Sequence, residues 1–281
     1  MERLNRTSCP AAKQYTEKII QFGEGNFLRA FVDWIVWKTN QKTDFNASVV
    51  VVQPIDRGMV EMLGEQDGLY HLNLQGIDKG QRVDSIERID VISRGINPYA
   101  EFDAYMKLAE QPEIRFVISN TTEAGIAFDP ACKFTDAPAS SYPGKLVQLL
   151  YHRFEYFKGD PAKGLIIFPC ELIFLNGKEL KRCIREYIKL WNLGEAFSAW
   201  FENHCGVYCT LVDRIVPGYP RDNAAELCEK VGYEDRLLSR LKFSTSGSSR
   251  RRRRSPPSSR PTRPASTCSS CLPRRRTMSA R

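Results

Sequence analysis

The stretch Lys18 to Phe31, KIIQFGEGNFLRAF, carries a short apolar segment into two glycines one residue apart, then into apolar residues at helical spacing. Such a turn can hold phosphate. A first Gly permits the tight turn, a second lets the backbone approach a diphosphate, and the helix start offers unpaired N–H groups and a favourable dipole. Gly23 and Gly25 suit those two roles, whereas the place of a third, packing glycine falls on Leu28. A glycine turn with no ligand explains the same residues, because Gly-x-Gly alone is a weak pattern. An acidic residue near the end of the next strand would grip an adenosine ribose. Gln53 stands there with Asp56 three residues on, and Asp56 is either a ribose ligand or a turn cap. Cys205 and Cys209 beside His204 lack the second ligand pair of a zinc motif, so no metal is expected.

These groups need elements to position them. Residues 18 to 22 read as a short buried strand, and Phe27, Leu28, Phe31, Val32, Trp34 and Ile35 repeat at helical spacing behind the glycines. Ser48 to Gln53 (SVVVVQ) has the unbroken valines of a parallel strand covered on both faces. Partial alternation between Leu69 and Ser93 suggests a hairpin. Beyond it the pattern predicts a helix from Pro98 to Glu110, a strand from Ile114 to Ser119, a helix from Pro143 to Phe157 and a strand from Gly164 to Pro169. Helices near Lys178 to Trp191 and Glu195 to His204 follow, and Asn223 to Leu241 also reads as helical. Strands alternating with helices imply an α/β fold, Rossmann-like and doubly wound, with a mostly parallel sheet. The expected division is an N-terminal extension at 1–17, a nucleotide-binding domain at 18–242 and a separate tail at 243–281.

Composition supports a globular body: 42% of the 281 residues are apolar and 11% aromatic, enough for a core. The formal charge of +8 is misleading, because eleven of the 41 basic residues fall in 243–281, which has no acid. The first 242 residues keep 30 basic against 33 acidic side chains, a net of −3, so the body presents no nucleic-acid surface. No run approaches the ~18 apolar residues that cross a bilayer, and MERLNRTSCPAAKQ has no apolar signal segment. A cytoplasmic protein with no membrane partner is expected. The seven scattered cysteines of the body then read as small buried hydrophobes.

Four segments in fixed order, FGEGNFLRAF, SNTTEAG at 119–125, PCELIFLNG at 169–177 and VDRIVPGYPRD at 212–222, resemble the mannitol dehydrogenase family of long-chain polyol dehydrogenases. The resemblance spans about 18–241 and implies NAD-dependent hydride transfer on a small sugar-acid substrate, interconverting D-altronate and D-tagaturonate in hexuronate breakdown. NAD rather than NADP rests on the resemblance, with Asp56 in weak support. It implies a cofactor-binding segment of Ile19, Ile20, Gln21, Phe22, Gly23, Glu24, Gly25, Asn26, Phe27, Leu28, Arg29 and Ala30. Asn120 and Thr121, just past a strand's carboxyl end, are either cofactor contacts or a capped strand exit. Asn176 and Gly177 match the Asn-Gly of the family's Cys-Asp-Asn-x-x-x-Asn-Gly pattern, which makes Asn176 a substrate contact. Glu171 and Leu172 depart from that pattern, which removes a substrate-contacting amide. Asp213 and Arg214 match the Val-Asp-Arg-Ile signature, either facing substrate or forming a structural ion pair.

Hydride transfer to a ketone also needs a proton donor. In this family that group resembles the Lys of a Lys-x-x-x-x-Asn-Gly-x-His run in a helical C-terminal domain; the run is absent here and so is any assigned catalytic residue. Instead, eleven Arg, eleven Ser and five Pro fill most of 243–281, a composition expected to be disordered. Either the reading frame shifted near Phe243 and the catalytic domain is missing, which is the favoured reading, or the tail is a functional basic segment that binds nucleic acid. CSSC at 268–271 reads as coincidence, since no folded helix end is expected there to activate a thiol.

Overall fold

The computed structural model of the protein describes residues 1–78, 81–122, 124–212 and 215–243. In chain order these form β1 (Glu2–Arg3), β2 (Thr16–Phe22), a helical run from 26 to 42 and β3 (Ala47–Val52). The helical run is α1 (Asn26–Leu28), a π-helical turn (Arg29–Asp33) and α2 (Trp34–Lys42). Next come α3 (Val60–Glu65), β4 (Tyr70–Asp78), β5 (Gln81–Ile89), β6 (Ile92–Ile96), α4 (Phe102–Met106), β7 (Phe116–Ser119) and α5 (Tyr142–Tyr156). The chain continues through β8 (Ile166–Pro169), α6 (Asn176–Leu190), α7 (Glu195–His204), β9 (Gly206–Val207), β10 (Ile215–Gly218), α8 (Ala224–Val231), β11 (Tyr233–Glu234) and β12 (Ser239–Phe243).

The six strands of the main sheet lie in the order β6-β3-β2-β7-β8-β9, and every pairing is parallel. Chain order therefore steps outward one way from β2 and the other way from β7. That reversal, at the carboxyl ends of β2 and β7, is where open α/β sheets take their ligands, in the crevice between the diverging segments. The valine run explains how the sheet is covered on both sides. All six residues of β3 are buried. Val50 and Val52 join Ile20 and Phe22 in a core that includes residues of α5, α6 and α7. Val49 and Val51 join Ile19 in a second core with Leu28, Val32 and Val36 of the helical run. Both faces are thus apolar, as the unbroken valines require.

One expected helix is corrected. Only Ala224–Val231 of the stretch 223–241 is helical; it stops at Gly232, whose φ of 81° is left-handed. The chain then extends, and β12 inserts between β10 and β4 in a four-stranded sheet of order β10-β12-β4-β5. Leu237, Leu238 and Leu241 have a helix-like spacing, but a strand satisfies them better here. The edge of β4 offers unpaired backbone groups, β12 takes them in parallel register, and Leu237 and Leu241 enter the second core beside Leu72 and Leu74. The hairpin expected between Leu69 and Ser93 is present as β4 and β5, paired from Tyr70–Ile89 to Asp78–Gln81. At the N-terminus, β1 pairs with β11 and Leu4 is fully buried. Among the described residues no helix is long and apolar enough to cross a membrane.

Candidate functional site

The glycine turn lies at the reversal point. Gly23 has φ +121°, a conformation that L side chains rarely adopt, and a Cβ there would lie 2.9 Å from the carbonyl oxygen of Asn120 at the end of β7. Its N–H donates to Val52 O at 3.1 Å, while Asn120 N donates to Phe22 O at 3.0 Å. The ends of β3, β2 and β7 are thereby locked together. Gly25 differs: its φ of −68° is ordinary, and a Cβ there would meet nothing within 4 Å. Gly23 is required by the protein's own packing, whereas Gly25 opens onto free space, as a backbone meant to approach a ligand must. Within the stretch 19–30, Ile19, Ile20, Phe22, Leu28 and Ala30 are core residues that hold the turn from below.

Polar side chains fix the turn from beneath. Gln21 Nε2 donates to Gly23 O at 3.1 Å, and Arg29 Nε donates to Glu24 O at 3.1 Å. Arg29 is only 1% exposed; its other nitrogens donate to Asn26 Oδ1 at 2.9 Å and to Leu237 O, and its guanidinium lies over the Tyr70 ring. The π-helical turn carries both Arg29 and Asp33 inward. Asp33 is fully buried, with one oxygen 3.5 Å from Gln21 Nε2 and the other without a partner among the described residues. Burial pushes its carboxyl up to about 7.

The exit of β3 is built around Gln53 and Glu24. Gln53 is buried; its amide donates to Ile55 O and Asp56 O, both at 2.9 Å, and accepts from Val60 N at 3.4 Å. Glu24 accepts from Met59 N at 3.3 Å, and burial raises its carboxyl above the usual range. A Cβ on Gly58 would run into both side chains. Gln53 thus organises the 54–59 loop. Asp56 is exposed on that loop, and no hydrogen bond to its carboxylate forms among the described residues.

On the far side of the crevice, the exits of β7 and β8 are joined by Glu171. This carboxylate is 2% exposed; it accepts from Ser119 Oγ at 3.1 Å and from Thr121 N and Thr121 Oγ1, each at 3.0 Å. Asn120 Nδ2 donates to Cys170 O at 2.8 Å. Both Asn120 and Thr121 therefore brace the strand exit with their side chains. The departure at Glu171 carries a structural role that the sequence pattern did not reveal. Asn176 is buried too. Its Nδ2 donates to Pro169 O at 2.9 Å, Glu171 O at 3.1 Å and Thr210 Oγ1 at 3.1 Å, and its Oδ1 accepts from Gly177 N at 2.8 Å and Thr210 N at 3.0 Å. The amide ties the start of α6 to the segment after β9. Asp213 and Arg214, like the tail from 244 onward, lie outside the described residues.

A reversed parallel sheet with a glycine turn at its switch point defines a Rossmann-type domain. The sequence pattern of the Mannitol dehydrogenase Rossmann domain matches residues 17–239, and the chain belongs to the mannitol dehydrogenase family. It is 69% identical over 238 residues to the altronate oxidoreductase of Bacteroides thetaiotaomicron, covering 85% of this chain and 50% of that protein. It is 50% identical over 244 residues to the altronate oxidoreductase of an Escherichia coli strain, again covering 86% of this chain and 50% of the relative. The chain thus spans about half the length of the curated relatives it matches. Among solved structures, Pseudomonas fluorescens mannitol 2-dehydrogenase in a ternary complex with NAD and D-mannitol superposes with a TM-score of 0.69 at 19% identity, covering 85% of this chain and 52% of that one. A D-sorbitol dehydrogenase does so with a TM-score of 0.68 at 23% identity, covering 86% and 53%. Likeness at that identity speaks for the fold alone.

Proposed function

We propose that this chain is the dinucleotide-binding part of an NAD-dependent altronate oxidoreductase, which interconverts D-altronate and D-tagaturonate in hexuronate breakdown. The observation that carries the reading is Gly25: at the switch point of the sheet, this turn glycine, whose Cβ would meet nothing within 4 Å, sits where a diphosphate must approach the backbone. The 69% identity to an altronate oxidoreductase supports the substrate class. In this reading the backbone from Gly23 to Asn26 receives the diphosphate and the free carboxylate of Asp56 holds the adenosine ribose. Asn120 and Thr121, held by Cys170 and Glu171, line the nicotinamide side. Asn176 acts on substrate by placing the 208–212 segment, and Asp213 and Arg214 follow as substrate contacts. Bound NAD supplies the hydride acceptor and donor.

No Lys-x-x-x-x-Asn-Gly-x-His run occurs in these 281 residues. The chain accordingly binds the dinucleotide without supplying the proton-transferring lysine. The test pairs calorimetric titration of the purified protein with NAD and an NADH-oxidation assay with D-tagaturonate. Saturable NAD binding with no turnover is expected. Absence of NAD binding overturns the cofactor assignment, and turnover by this protein overturns the assignment of inactivity.

A further inference from the structure

We propose that the cavity between the glycine turn and the 217–222 segment is an anion-binding subsite, with Asn26, Arg221 and Arg240 as its donors. The cavity has a volume of about 510 Å³ and is lined by Asn26, Gly218, Arg221, Asp222 and Arg240 together with Pro217, Tyr219 and Pro220. Its chemistry is one-sided. Asn26 Oδ1 is occupied by Arg29 and Ser239, each at 2.9 Å, which leaves its Nδ2 as the free end. Arg221 is exposed, and among the described residues its guanidinium has no hydrogen-bond or ion-pair partner. Arg240 is oriented by a bond from one terminal nitrogen to Asn223 Oδ1 at 2.6 Å, yet its Nε is buried and unpartnered. The opposing charge is Asp222, an exposed carboxylate at the rim, so two guanidinium groups face one acid.

The sheet shows that this is a shaped place. Across the strands, Gly218 of β10, Arg240 of β12 and Asn73 of β4 pair in one row. Gly218 puts no side chain over Arg240, and even a Cβ there would come no closer than 3.6 Å to Asn26 Nδ2. Asn73 is fully buried, and neither its amide nitrogen nor its amide oxygen has a partner among the described residues. A folded protein leaves few buried polar atoms unmatched, and of the unmatched atoms in this row the Arg240 Nε belongs to a residue that lines the cavity, with the Asn73 amide next to it across β12 and β4. Planar guanidinium donors suit carboxylate and phosphate oxygens in particular. Because Asn26 directly follows Gly25, two anions can reach the subsite: the diphosphate of a dinucleotide or the carboxylate of a sugar acid. The second source rests on the proposed function; the subsite does not.

The test uses the full 281-residue protein and inorganic pyrophosphate as probe, followed by calorimetry and by the arginine Nε–H signals in NMR. Arg221→Gln carries the test, because an exposed side chain can change without loss of the fold; unchanged melting confirms that, and Arg240→Gln is the second variant. Each is expected to weaken pyrophosphate binding at least tenfold, and Arg221→Gln is also expected to abolish the shift of the Arg240 Nε–H signal. Arg253→Gln, in the arginine-rich tail, controls for general charge and is expected to leave that signal's titration unchanged. If Arg221→Gln weakens ADP but spares adenosine, the diphosphate is the occupant. If it weakens a six-carbon aldonate but spares mannitol, the carboxylate is. Pyrophosphate affinity at the Arg240 signal within twofold of the parent in Arg221→Gln, with calorimetric affinity likewise within twofold in Arg240→Gln, overturns the subsite. Failure of the NAD reading shows separately, as loss of adenosine and NAD binding with pyrophosphate binding retained.

Discussion

Gly23→Ala and Gly25→Ala are chemically the same change two residues apart, and the structure predicts opposite phenotypes. At Gly23 the added methyl must sit at φ +121°, 2.9 Å from Asn120 O and 3.2 Å from Leu28 Cδ1. A backbone conformation of that kind costs an L residue about 1–3 kcal/mol, and the contact adds roughly 1 kcal/mol or more. Asn120 cannot retreat cheaply, because its N–H is bonded to Phe22 O and its side chain to Cys170 O. Gly23→Ala should therefore lose roughly 2–4 kcal/mol, which for a domain of this size lowers the melting temperature by about 5–15 °C. At Gly25 the backbone is ordinary and the methyl meets nothing within 4 Å. Reduced freedom of the unfolded chain then leaves Gly25→Ala equal to the parent or ~0.4–1 kcal/mol more stable. Its cost falls on the ligand, since the methyl occupies the approach to the diphosphate, and NAD should bind at least tenfold more weakly, ~1.4 kcal/mol. Thermal denaturation followed by circular dichroism, paired with calorimetric NAD titration, separates the two effects. Parent-like NAD affinity in Gly25→Ala refutes the cradle, and parent-like melting in Gly23→Ala refutes the packing argument.

Three further changes probe the supports of the crevice. Glu171→Ala strands the Ser119 hydroxyl and the Thr121 N–H, so urea denaturation should show a loss of ~2–4 kcal/mol, with Glu171→Gln losing less; equal stability of all three proteins removes the bridge from the account. Asn176→Ala breaks the tie from Pro169 O to Thr210 N and should cost ~2–3 kcal/mol in the same assay, an unchanged midpoint counting against it. Asp33 sets a pH dependence whose sign follows from its raised carboxyl. The native state keeps a proton up to about 7 that the unfolded chain releases near the ordinary value of 3.8, so stability is lost as pH rises between those values. Asp33→Asn removes this titration, and its stability relative to the parent should improve by ~2–3 kcal/mol between pH 5 and pH 8. A difference independent of pH shows that Asp33 is not the titrating group.

The parallel sheet was legible in the sequence because a strand buried on both faces must be apolar without interruption, and SVVVVQ and FVIS are. Its edge strand β6 was not, because only Ile92 and Ile96 of its five residues are buried, with Ser93, Arg94 and Gly95 between them. In the second sheet the β4–β5 hairpin was legible and β12 was not. β12 was misread because the spacing of Leu237, Leu238 and Leu241 is compatible with a helix until an open strand edge competes for the same backbone. The glycine turn was legible for a related reason. Its pattern is local, since strand, turn and helix are contiguous in the chain, although the close approach that requires Gly23 comes from the distant Asn120.

The supporting polar residues depend on partners far away in the chain, and a single sequence does not reveal them. Arg29 reaches Leu237 O across 208 positions, and Glu171 reaches Thr121 across 50. A faint local sign existed all the same. Arg29 and Asp33 stand four residues apart on a helix whose apolar residues Leu28, Ala30 and Val32 are buried around them. Charges on an inward helical face cannot remain solvated, so they must meet either each other or buried backbone. Here Arg29 takes carbonyls on both sides of the turn, Glu24 O and Leu237 O, and Asp33 is left protonatable beneath it. Charge read against the helical period therefore points to the residues that fix a phosphate turn from below, even when the residues that would touch the ligand are glycines with no side chain to read.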